Sequence, residues 1–499
     1  MRSLSDQLVI LMKMKSAVLI GLLLSVSLLG VAQRIKTSLP LDFNVRNESV
    51  QILGQHQNTI FVHLFDRSDH QIAAFRDNLG LKWDKQMPFD TRDFSLEELL
   101  FEEGKFIAFY LERVRGGRLI KGQLYDSNLD SIAPKVKLDS IEGKFARTVP
   151  EPQFQLSQDR QQVVVYYIEE QFNDNDILHY TRLNRELDIL EQGIAAIPTQ
   201  ESRHTFHELL VSNTGEVYII TAEYKDSGRD HASRYRILRS ENNFISDSTL
   251  FVSPGQDRFL NNTVFKIDNA NDHLVVTGFY ADDFRQPAHA EGLFFLVIDL
   301  NSLEALSTSF QAFPTEFIAK IKGVRNPKRA DKLYTFLIDE VILRQDGGAL
   351  VVAESYYRTY RANAPMYDIY GMPMRSGTTI TYHFDEIIVL SIHPDGEMHW
   401  KNILIKSQSS TGDYGRYGSY ALMNTGKYLI FLFNDDLNTR SNVVQYTIDG
   451  SGKMDRDVLL NSRKYNVYLL PQFGKQISAR SAVMPSIRKN KLRLLKVEY

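Results

Sequence analysis

The sequence predicts an all-β protein, and within that class a β-propeller of eight four-stranded blades. Helical periodicity is nearly absent after residue 32, a short apolar strand recurs eight times, and the spacing of these strands fits propeller blades. A seven-bladed ring is the main alternative. Two separate β-sandwich domains are less favoured because no Pro-, Gly- or Ser-rich linker divides the chain.

The N-terminal segment, residues 1–32, has the three-part layout of a secretory signal peptide. The basic stretch Met12–Lys15 precedes the apolar run Ser16–Gly30, and Gly30-Val31-Ala32 supplies the small residues of a cleavage site. A membrane anchor is the alternative, but the run is shorter than the roughly 20 residues that cross a bilayer. We therefore expect an exported protein that is periplasmic, outer-membrane-associated or extracellular, with no transmembrane span in its mature chain.

Composition limits the function further. The chain has no cysteine, which excludes a lipoprotein anchor, disulfide bonds and thiolate metal sites. The signal peptide carries Arg2, Lys13, Lys15 and Asp6, so its removal changes the formal net charge from −3 to −5. A weakly acidic mature chain of this kind is not expected to have nucleic acid as its main partner.

The recurring strand is rich in β-branched and aromatic residues. Its eight copies are Thr59–Leu64, Lys105–Tyr110, Gln162–Tyr167, Glu216–Thr221, His273–Thr277, Ala349–Ala353, Lys427–Leu432 and Ser481–Met484. The residues that open successive units are separated by 46, 57, 54, 56, 76, 79 and 54 positions. Most of these intervals suit a four-stranded blade, and the two long ones indicate blades that carry insertions.

Further strands flank each copy, so we label the four strands of a blade a to d from the central channel outward. In the first unit, Ser49–Leu53 precedes the recurring strand, Ile72–Phe75 follows it, and Lys82–Met87 comes after the turn Arg76–Gly80. The recurring strand is therefore strand b of each blade.

The two ends of the chain predict how the ring closes. The last unit stops at Tyr499 after its c strand, whereas the mature N-terminus has a spare extended stretch at Thr37–Asn44. Pairing this stretch with the last unit would complete the eighth blade and remove an exposed sheet edge. The mature chain, residues 33–499, is then a single propeller domain with insertions at 314–333 and 356–384.

Part of the sixth and seventh units is similar to a group of proteins. Asp385–Trp400, Gly418–Leu422 and Leu429–Asp436 resemble the corresponding segments of uncharacterised exported proteins of Gram-negative bacteria. The resemblance covers mainly residues 385–436. It implies an exported, propeller-like fold and no particular activity.

No catalytic or cofactor motif is present in the sequence. Nucleophile elbows, P-loops, dinucleotide-binding loops and zincin helices are absent, and the glycine cluster Gly412–Ser419 lacks a lysine and a following helix. His204 and His207 are three apart and would point to opposite faces of a strand. Trp83 and Trp400 begin d strands, as docking tryptophans do in quinone-dependent propeller enzymes, but packing between blades explains two such residues better.

We predict no catalytic residue, no metal ligand and no cofactor, with Ca²⁺ kept as an alternative. Acidic pairs end several b strands: Glu169-Glu170, Asp282-Asp283 and Asp435-Asp436. Carboxylate oxygens are the ligands that Ca²⁺ prefers, and Asn173–Asp176 comes closest to the spacing of a calcium loop.

The two insertions indicate which face of the ring binds a ligand. In antiparallel blades the b–c and d–a connections leave from the same face, which we call the b–c face. Residues 314–333 form a basic d–a connection, residues 356–384 lengthen a b–c hairpin, and the loop 412–420 is another d–a connection. Long loops on a rigid scaffold usually carry function.

Tyrosines in these segments are the candidate ligand-binding residues, because tyrosine combines a flat apolar ring with a hydroxyl group. The candidates are Tyr356, Tyr357, Tyr360, Tyr367, Tyr370, Tyr414 and Tyr417. The alternative is that these rings pack the insertion against its own blade. The sequence thus predicts a non-catalytic binding or scaffold protein of the bacterial envelope, whose partner is an envelope protein or a glycan. An envelope enzyme that acts on polysaccharide, with acidic and tyrosine residues from several blades, is the alternative.

Overall fold

A computed structural model describes most of the chain after the predicted signal peptide. The described residues are 33–67, 69–143, 150–171, 175–197, 204–224, 232–241, 244–255, 258–282, 289–329, 333–334, 336–362, 378–439 and 442–499. The signal peptide predicted at residues 1–32 lies outside this range. Within the described residues, no helix is long and apolar enough to cross a membrane.

The chain forms eight four-stranded antiparallel blades in a ring, as predicted. The first half of the chain contains β1 (Arg34–Thr37), β2 (Leu41–Asp42), β3 (Ser49–His56), β4 (Thr59–Phe65), β5 (His70–Arg76), β6 (Leu81–Gln86), β7 (Phe94–Glu102), β8 (Lys105–Val114), β9 (Gly117–Tyr125), β10 (Val136–Glu142), β11 (Gln153–Leu156), β12 (Gln162–Glu169), β13 (Asp176–Asn184), β14 (Ile189–Ile197), β15 (His204–Val211), β16 (Val217–Glu223), β17 (Arg234–Glu241) and β18 (Phe244–Val252). Blades 1 to 4 are formed by β3–β6, β7–β10, β11–β14 and β15–β18.

The second half of the chain forms blades 5 to 8. Its strands are β19 (Phe259–Asp268), β20 (His273–Ala281), β21 (His289–Ala290), β22 (Gly292–Asp299), β23 (Ala305–Ala312), β24 (Leu333–Tyr334), β25 (Phe336–Leu343), β26 (Ala349–Ala362), β27 (Thr378–Ile392), β28 (Met398–Leu404), β29 (Gln408–Thr411), β30 (Ala421–Asn424), β31 (Tyr428–Asn434), β32 (Asn442–Asp449), β33 (Met454–Asn461), β34 (Lys475–Ser478), β35 (Ser481–Arg488) and β36 (Lys491–Glu498). Blade 5 is β19-β20-β22-β23, blade 6 is β25–β28, and blade 7 is β30–β33. Helices α1 (Thr315–Ile321) and α2 (Ser462–Tyr465) lie in d–a connections.

The N-terminal strand closes the ring. Blade 8 consists of β34, β35 and β36 with β1 as its outer strand, in a register that runs from Arg34 opposite Glu498 to Thr37 opposite Leu495. The pairing segment begins three residues before the Thr37–Asn44 stretch that the sequence indicated, and β2 adds a second short pairing to β36. Ile35 packs into the core between blades 7 and 8, which anchors this earlier register.

The hydrophobic core is divided among the blade interfaces. Each of eight clusters of buried side chains in the described residues joins two neighbouring blades, and one of them joins blade 8 to blade 1. Strands b and c are covered on both faces, which explains why β4 reads as an almost continuous apolar run. The outer strand β6 is mostly exposed and correspondingly polar. Strands a line the channel, and β3 contacts the a strands of both neighbouring blades.

In four of the c–d turns, a leucine has a backbone conformation with positive φ, in the left-handed region. Leu79, Leu129, Leu187 and Leu303 have φ of 64°, 66°, 66° and 56°. Each of these leucines is buried, and each donates its backbone N–H to the carbonyl oxygen three or four residues earlier. Gly396 and Gly452 occupy the same place in blades 6 and 7. The turn therefore accepts a conformation unfavourable for leucine because the side chain is needed at the interface with the preceding blade.

The two tryptophans pack between blades, in agreement with the packing interpretation. Trp400 of β28 lies against the c–d turn of blade 7, where a Cβ at Gly452 would come within 2.7 Å of the indole. The indole Nε1 of Trp400 also donates a hydrogen bond to the Gly450 carbonyl oxygen at 3.1 Å. Trp83 joins the core between blades 1 and 2.

Candidate functional site

The insertion in blade 6 forms an arm on the b–c face. Strands β26 and β27 continue beyond the blade and pair from Tyr356 opposite Phe384 to Ala362 opposite Thr378. Strand β29 adds a third strand along Thr381–Phe384. We call these three strand segments the arm.

The candidate tyrosines of the arm have different environments. Tyr356 contacts Phe384 with ring centroids 5.1 Å apart, and Tyr357 stacks on His383 at 4.5 Å. The Tyr360 side chain is 62% exposed and is available to a ligand. Tyr367 and Tyr370 lie outside the described residues. The binding role of these tyrosines stays a prediction.

The loop 412–420 runs along the chain from β29 to β30 of blade 7, and it packs between the arm and blade 8. Gly415 and Gly418 pack against the Phe384 ring so closely that a Cβ atom would lie 2.9 and 2.3 Å from its carbons. Gln472, in the d–a connection that leads into blade 8, donates hydrogen bonds from Nε2 to the carbonyl oxygens of both glycines, at 3.2 and 3.3 Å. Arg416 donates to the Val45 carbonyl oxygen at 2.7 Å. The loop is thereby fixed over the junction of blades 8 and 1.

The two candidate tyrosines of this loop, Tyr414 and Tyr417, have different environments. Tyr414 is 79% exposed. Tyr417 is half-buried and stacks on Tyr468, with centroids 4.1 Å apart and an interplanar angle of 20°. Tyr417 therefore holds the loop on blade 8, while Tyr414 faces solvent.

A buried polar network lies at the base of the arm. Lys406 Nζ is 2.7 Å from Glu354 Oε1, and the two side chains are 0% and 4% exposed. Lys406 also donates to the Phe384 carbonyl oxygen at 2.9 Å and to Gln408 Oε1 at 3.2 Å. Nearby, the Tyr420 hydroxyl donates to Asp339 Oδ2 at 3.0 Å. These bonds attach the arm to its blade and to the start of blade 7.

Burial dominates the electrostatics of this network. Desolvation raises the pKa of Glu354, and it raises the pKa of Asp339 to about 7, with the negative charge of Glu354 acting in the same direction. Desolvation lowers the pKa of Lys406, against the attraction of Glu354. The Lys406–Glu354 pair is enclosed and is better suited to holding the arm than to meeting a ligand, whereas Asp339 lies on the exposed part of β25.

A groove at the channel mouth adjoins the loop 412–420. It consists of two cavities of about 570 and 440 Å³ that share Ser49, Phe65, His70 and Leu96 as wall residues. The a strands of blades 1 and 2 form its walls, and Gln472–Lys475 of blade 8 form its third side. We call this the channel-mouth groove. Gln472 both lines the groove and binds the loop, so the two features are contiguous.

A histidine pair lies in the wall of the groove. His63 Nε2 is 3.1 Å from His70 Nδ1, across the b–c hairpin of blade 1. Desolvation by burial lowers the pKa of His63 to about 3, and desolvation also lowers the pKa of His70. Both rings are therefore neutral near pH 7, so one of the two facing nitrogens is an N–H donor and the other is an acceptor. Phe65 stacks parallel to His70 with centroids 6.0 Å apart, and Phe89 contacts His70 at 5.5 Å.

Charges are separated within the groove. Arg67, Arg92 and Arg113 line the outer cavity, and Glu97 and Glu98 line the inner one. Burial raises the pKa of Glu98, against a hydrogen bond from the Leu99 N–H. Asp66 also lines the outer cavity, and Lys475, whose Nζ donates to the Leu53 carbonyl oxygen at 2.7 Å, lines the inner one. The rim is therefore net basic, and the inner wall is net acidic.

The groove has no recognisable motif in the sequence. His204 and His207 are the closest histidine pair along the chain, whereas the structure brings His63 and His70 into contact. The available signal was a histidine near the end of one strand and another at the start of the next, on either side of a short turn. Arg67 and Arg113 belong to different blades, so no local pattern links them.

The acidic pairs proposed for Ca²⁺ are dispersed around the b–c face. Glu169 and Glu170 line a third cavity, in which Glu169 Oε2 lies 3.1 Å from His179 Nε2. Asp435 pairs with Arg456. Asp283 and much of the Asn173–Asp176 stretch lie outside the described residues. In the described part of the chain, no three His, Asp or Glu side chains converge as metal ligands would.

Comparisons with known proteins find similar solved structures and no family. No family model and no curated protein match the chain. It is similar to an uncharacterized protein from Listeria monocytogenes, with 9% identity, 84% of this chain and 96% of the other covered, and a TM-score of 0.39. It is also similar to the polysaccharide lyase Uly1, with 8% identity, 90% and 89% coverage and a TM-score of 0.37.

A prolyl endopeptidase is a third similar structure, with 10% identity and a TM-score of 0.35. The match covers 78% of this chain and 54% of the endopeptidase, so the chain spans about half the length of that enzyme. At these identities and TM-scores the similarity carries no argument about activity.

Proposed function

We propose that the protein is a non-catalytic binding or scaffold protein, exported to the bacterial cell envelope, that takes its ligand on the b–c face. One observation supports this above the others. The arm, the loop 412–420 and the channel-mouth groove lie on the same face and are joined through Phe384 and Gln472. Binding surfaces are usually formed by long loops on one side of a rigid scaffold.

The exposed rings on this face suit an envelope glycan or an envelope protein. Tyr360 is 62% exposed on a paired strand of the arm, and Tyr414 is 79% exposed on a loop held by Gln472 and Arg416. Aromatic side chains of this kind often act as binding anchors because they bury a large area at little loss of rotamer entropy.

Binding and cleavage can be tested in one screen. Purified residues 33–499 are assayed by interferometry against neutral and acidic oligosaccharides and against envelope proteins, and oligosaccharide products are analysed after long incubation. We expect binding without products. The Tyr360→Ala and Tyr414→Ala variants should each bind more weakly, while Arg480→Ala, on the opposite face, binds as the parent does. Binding that survives both tyrosine changes would contradict the proposed surface.

A second candidate function has an observation in its favour. His63, His70, Glu97 and Glu98 line one cavity, and burial shifts the pKa of both histidines and of Glu98. Perturbed titratable groups in a cleft are typical of catalytic sites. The protein would then be an envelope enzyme acting on polysaccharide. Formation of shorter oligosaccharides, abolished by His70→Phe, would favour this function over binding alone.

A further inference from the structure

The channel-mouth groove combines three chemical features that one ligand class satisfies. Its rim carries Arg67 and Arg113, which have no ion pair within the described residues, together with one acidic residue, Asp66. The third arginine, Arg92, is held by Asp90 through its Nε and Nη2 atoms, so its charge is largely neutralised. The rim therefore offers two guanidinium groups to an anion, and such groups match the geometry of a carboxylate.

The inner wall is suited to hydroxyl groups. Glu97 accepts a hydrogen bond from the Ser95 hydroxyl at 2.6 Å, and its carboxylate retains further acceptor capacity towards the cavity. A carboxylate there repels a second anionic group and accepts hydrogen bonds from neutral donors. A ligand that fills the groove thus carries an anionic group at one position and hydroxyl donors at another.

The histidine pair fixes a donor in the middle of the groove. His63 Nδ1 is buried without a partner in the described residues, and an unpaired acceptor nitrogen is better tolerated there than an unpaired N–H. The His63 Nε2–H therefore donates to His70 Nδ1, which leaves the His70 proton on Nε2. That N–H has no protein partner in the described residues, and His70 lines both cavities.

Aromatic rings supply the remaining wall. Phe65 lies parallel to His70, and Phe89 lies on the other side of that histidine. One face of a sugar ring presents only C–H groups and packs well on such a surface, while its hydroxyl groups reach the polar residues. The two cavities, about 570 and 440 Å³, have the volume of a short oligosaccharide.

We propose that the channel-mouth groove binds an acidic oligosaccharide, with Arg67 and Arg113 on the sugar carboxylate and with His70 and Glu97 on its hydroxyl groups. This inference rests on the proposed binding function and names its ligand class. An acidic peptide fits less well, because closely spaced carboxylates would meet Glu97 and Glu98 along the groove.

Calorimetric titration tests the ligand class. The probes are oligogalacturonate, oligomannuronate and oligoglucuronate, each compared with the same oligosaccharide after reduction of its carboxyl groups to alcohols. At least one acidic probe should bind, at least about tenfold more tightly than its reduced form, because a hydrogen bond to a charged group is lost on reduction. The affinity should fall as salt is added. Equal binding of acidic and reduced forms, or no binding of all three acidic probes, would overturn the inference.

Variants test the position of the ligand. Arg67→Gln and Arg113→Gln should each weaken acidic binding by about tenfold, and His70→Phe should weaken it while retaining an aromatic ring. Arg480→Gln, an exposed arginine in the a–b turn of blade 8, is the matched control and should bind as the parent does. Thermal unfolding of each variant confirms folding. An equal loss in Arg480→Gln would show that the acid binds elsewhere and would overturn the inference.

The outcome separates this inference from the proposed function. If a neutral oligosaccharide or an envelope protein binds, and the Tyr360→Ala variant weakens it, the protein is a binding protein with another ligand class. If nothing in the wider screen binds, the proposed function fails together with the inference.

Discussion

Asp77, in the c–d turn of blade 1, accepts a hydrogen bond from Lys496 in the c strand of blade 8. Lys36 of the N-terminal strand binds the other oxygen of the same carboxylate at 3.2 Å. Glu498 completes the cluster by pairing with both lysines. The first and last blades are thus held together by strand pairing, by a shared hydrophobic core and by this ionic cluster.

Deleting residues 34–46 should destabilise the whole ring. The deletion removes the outer strand of blade 8, exposes the backbone groups of β36 and takes Ile35 and Phe43 from two blade interfaces. We expect a melting temperature several degrees lower and more aggregation on heating, measured by calorimetry and light scattering. A truncated protein that melts within about a degree of the parent would contradict the closure described above.

Stability should depend on the charge of Asp77 in acid. The hydrogen bond from Lys496 is the largest cause that holds the pKa of Asp77 below its usual value. Asp77 therefore stabilises the fold above the unfolded-state pKa, near 4, and this contribution is lost as the pH falls through the lower folded-state pKa. Because the side chain is 38% exposed, we expect Asp77→Asn to lower the unfolding free energy by only about 1 kcal/mol at neutral pH.

Urea titrations at several pH values measure this effect. The difference between the parent and Asp77→Asn should shrink as the pH falls below the unfolded-state pKa and through the lower folded-state pKa of Asp77. Asp455→Asn, on the exposed outer strand of blade 7, is the control and should change little at any pH. A difference that persists unchanged in acid would show that Asp77 acts through packing.

At the left-handed leucines, a glycine substitution should leave the protein at least as stable as an alanine substitution does, which reverses the usual order. Leu187 has φ of 66° and packs against blade 2, where Gly122 leaves room for its methyl groups. Both Leu187→Ala and Leu187→Gly lose buried surface and should destabilise the protein by about 2–4 kcal/mol. The glycine variant should be no less stable than the alanine variant, because only glycine adopts this φ freely. An alanine variant more stable by about 1 kcal/mol would contradict a strained turn.

The buried pair at the base of the arm should show strong coupling. Lys406→Met leaves the Glu354 carboxyl group buried without its cation, which costs about 3–5 kcal/mol when the carboxyl stays charged. The double variant Lys406→Met/Glu354→Leu should recover most of this loss, as a double-mutant cycle by urea unfolding would measure. Additive effects of the two single changes would mean that the pair does not interact as the structure shows.

The fold could be predicted from the sequence because strands b and c are buried on both faces. Val62 of β4 and Val389 of β27 lie in apolar runs for this reason, and their spacing reveals the blade repeat. The c–d turns were harder to interpret, since a leucine such as Leu187 is not a turn-forming residue. Its conformation depends on a neighbouring blade and has no local signal.

For the candidate site, the sequence predicted only which face of the ring carries it. Strand alternation alone predicts the b–c face for the insertion 356–384 and for the loop 412–420. Tyr417 illustrates the limit, because its stacking partner Tyr468 is 51 residues away and becomes a neighbour only in the closed ring. Arg67, Arg113 and Gln472 come from three blades, so the groove exists only after the ring has closed.

Hydrogen–deuterium exchange on residues 33–499, with and without the tightest-binding oligosaccharide or envelope protein of the screens, shows which face of the propeller receives the ligand. The proposed binding face extends from the channel-mouth groove to the arm. We predict slower exchange in the presence of ligand at residues 63–70, 92–98 and 412–420, with no change at the a–b turns near Gly104, Gly215 and Gly426. Slower exchange confined to the a–b turns, or to the outer strands, would show that the ligand does not bind on the b–c face.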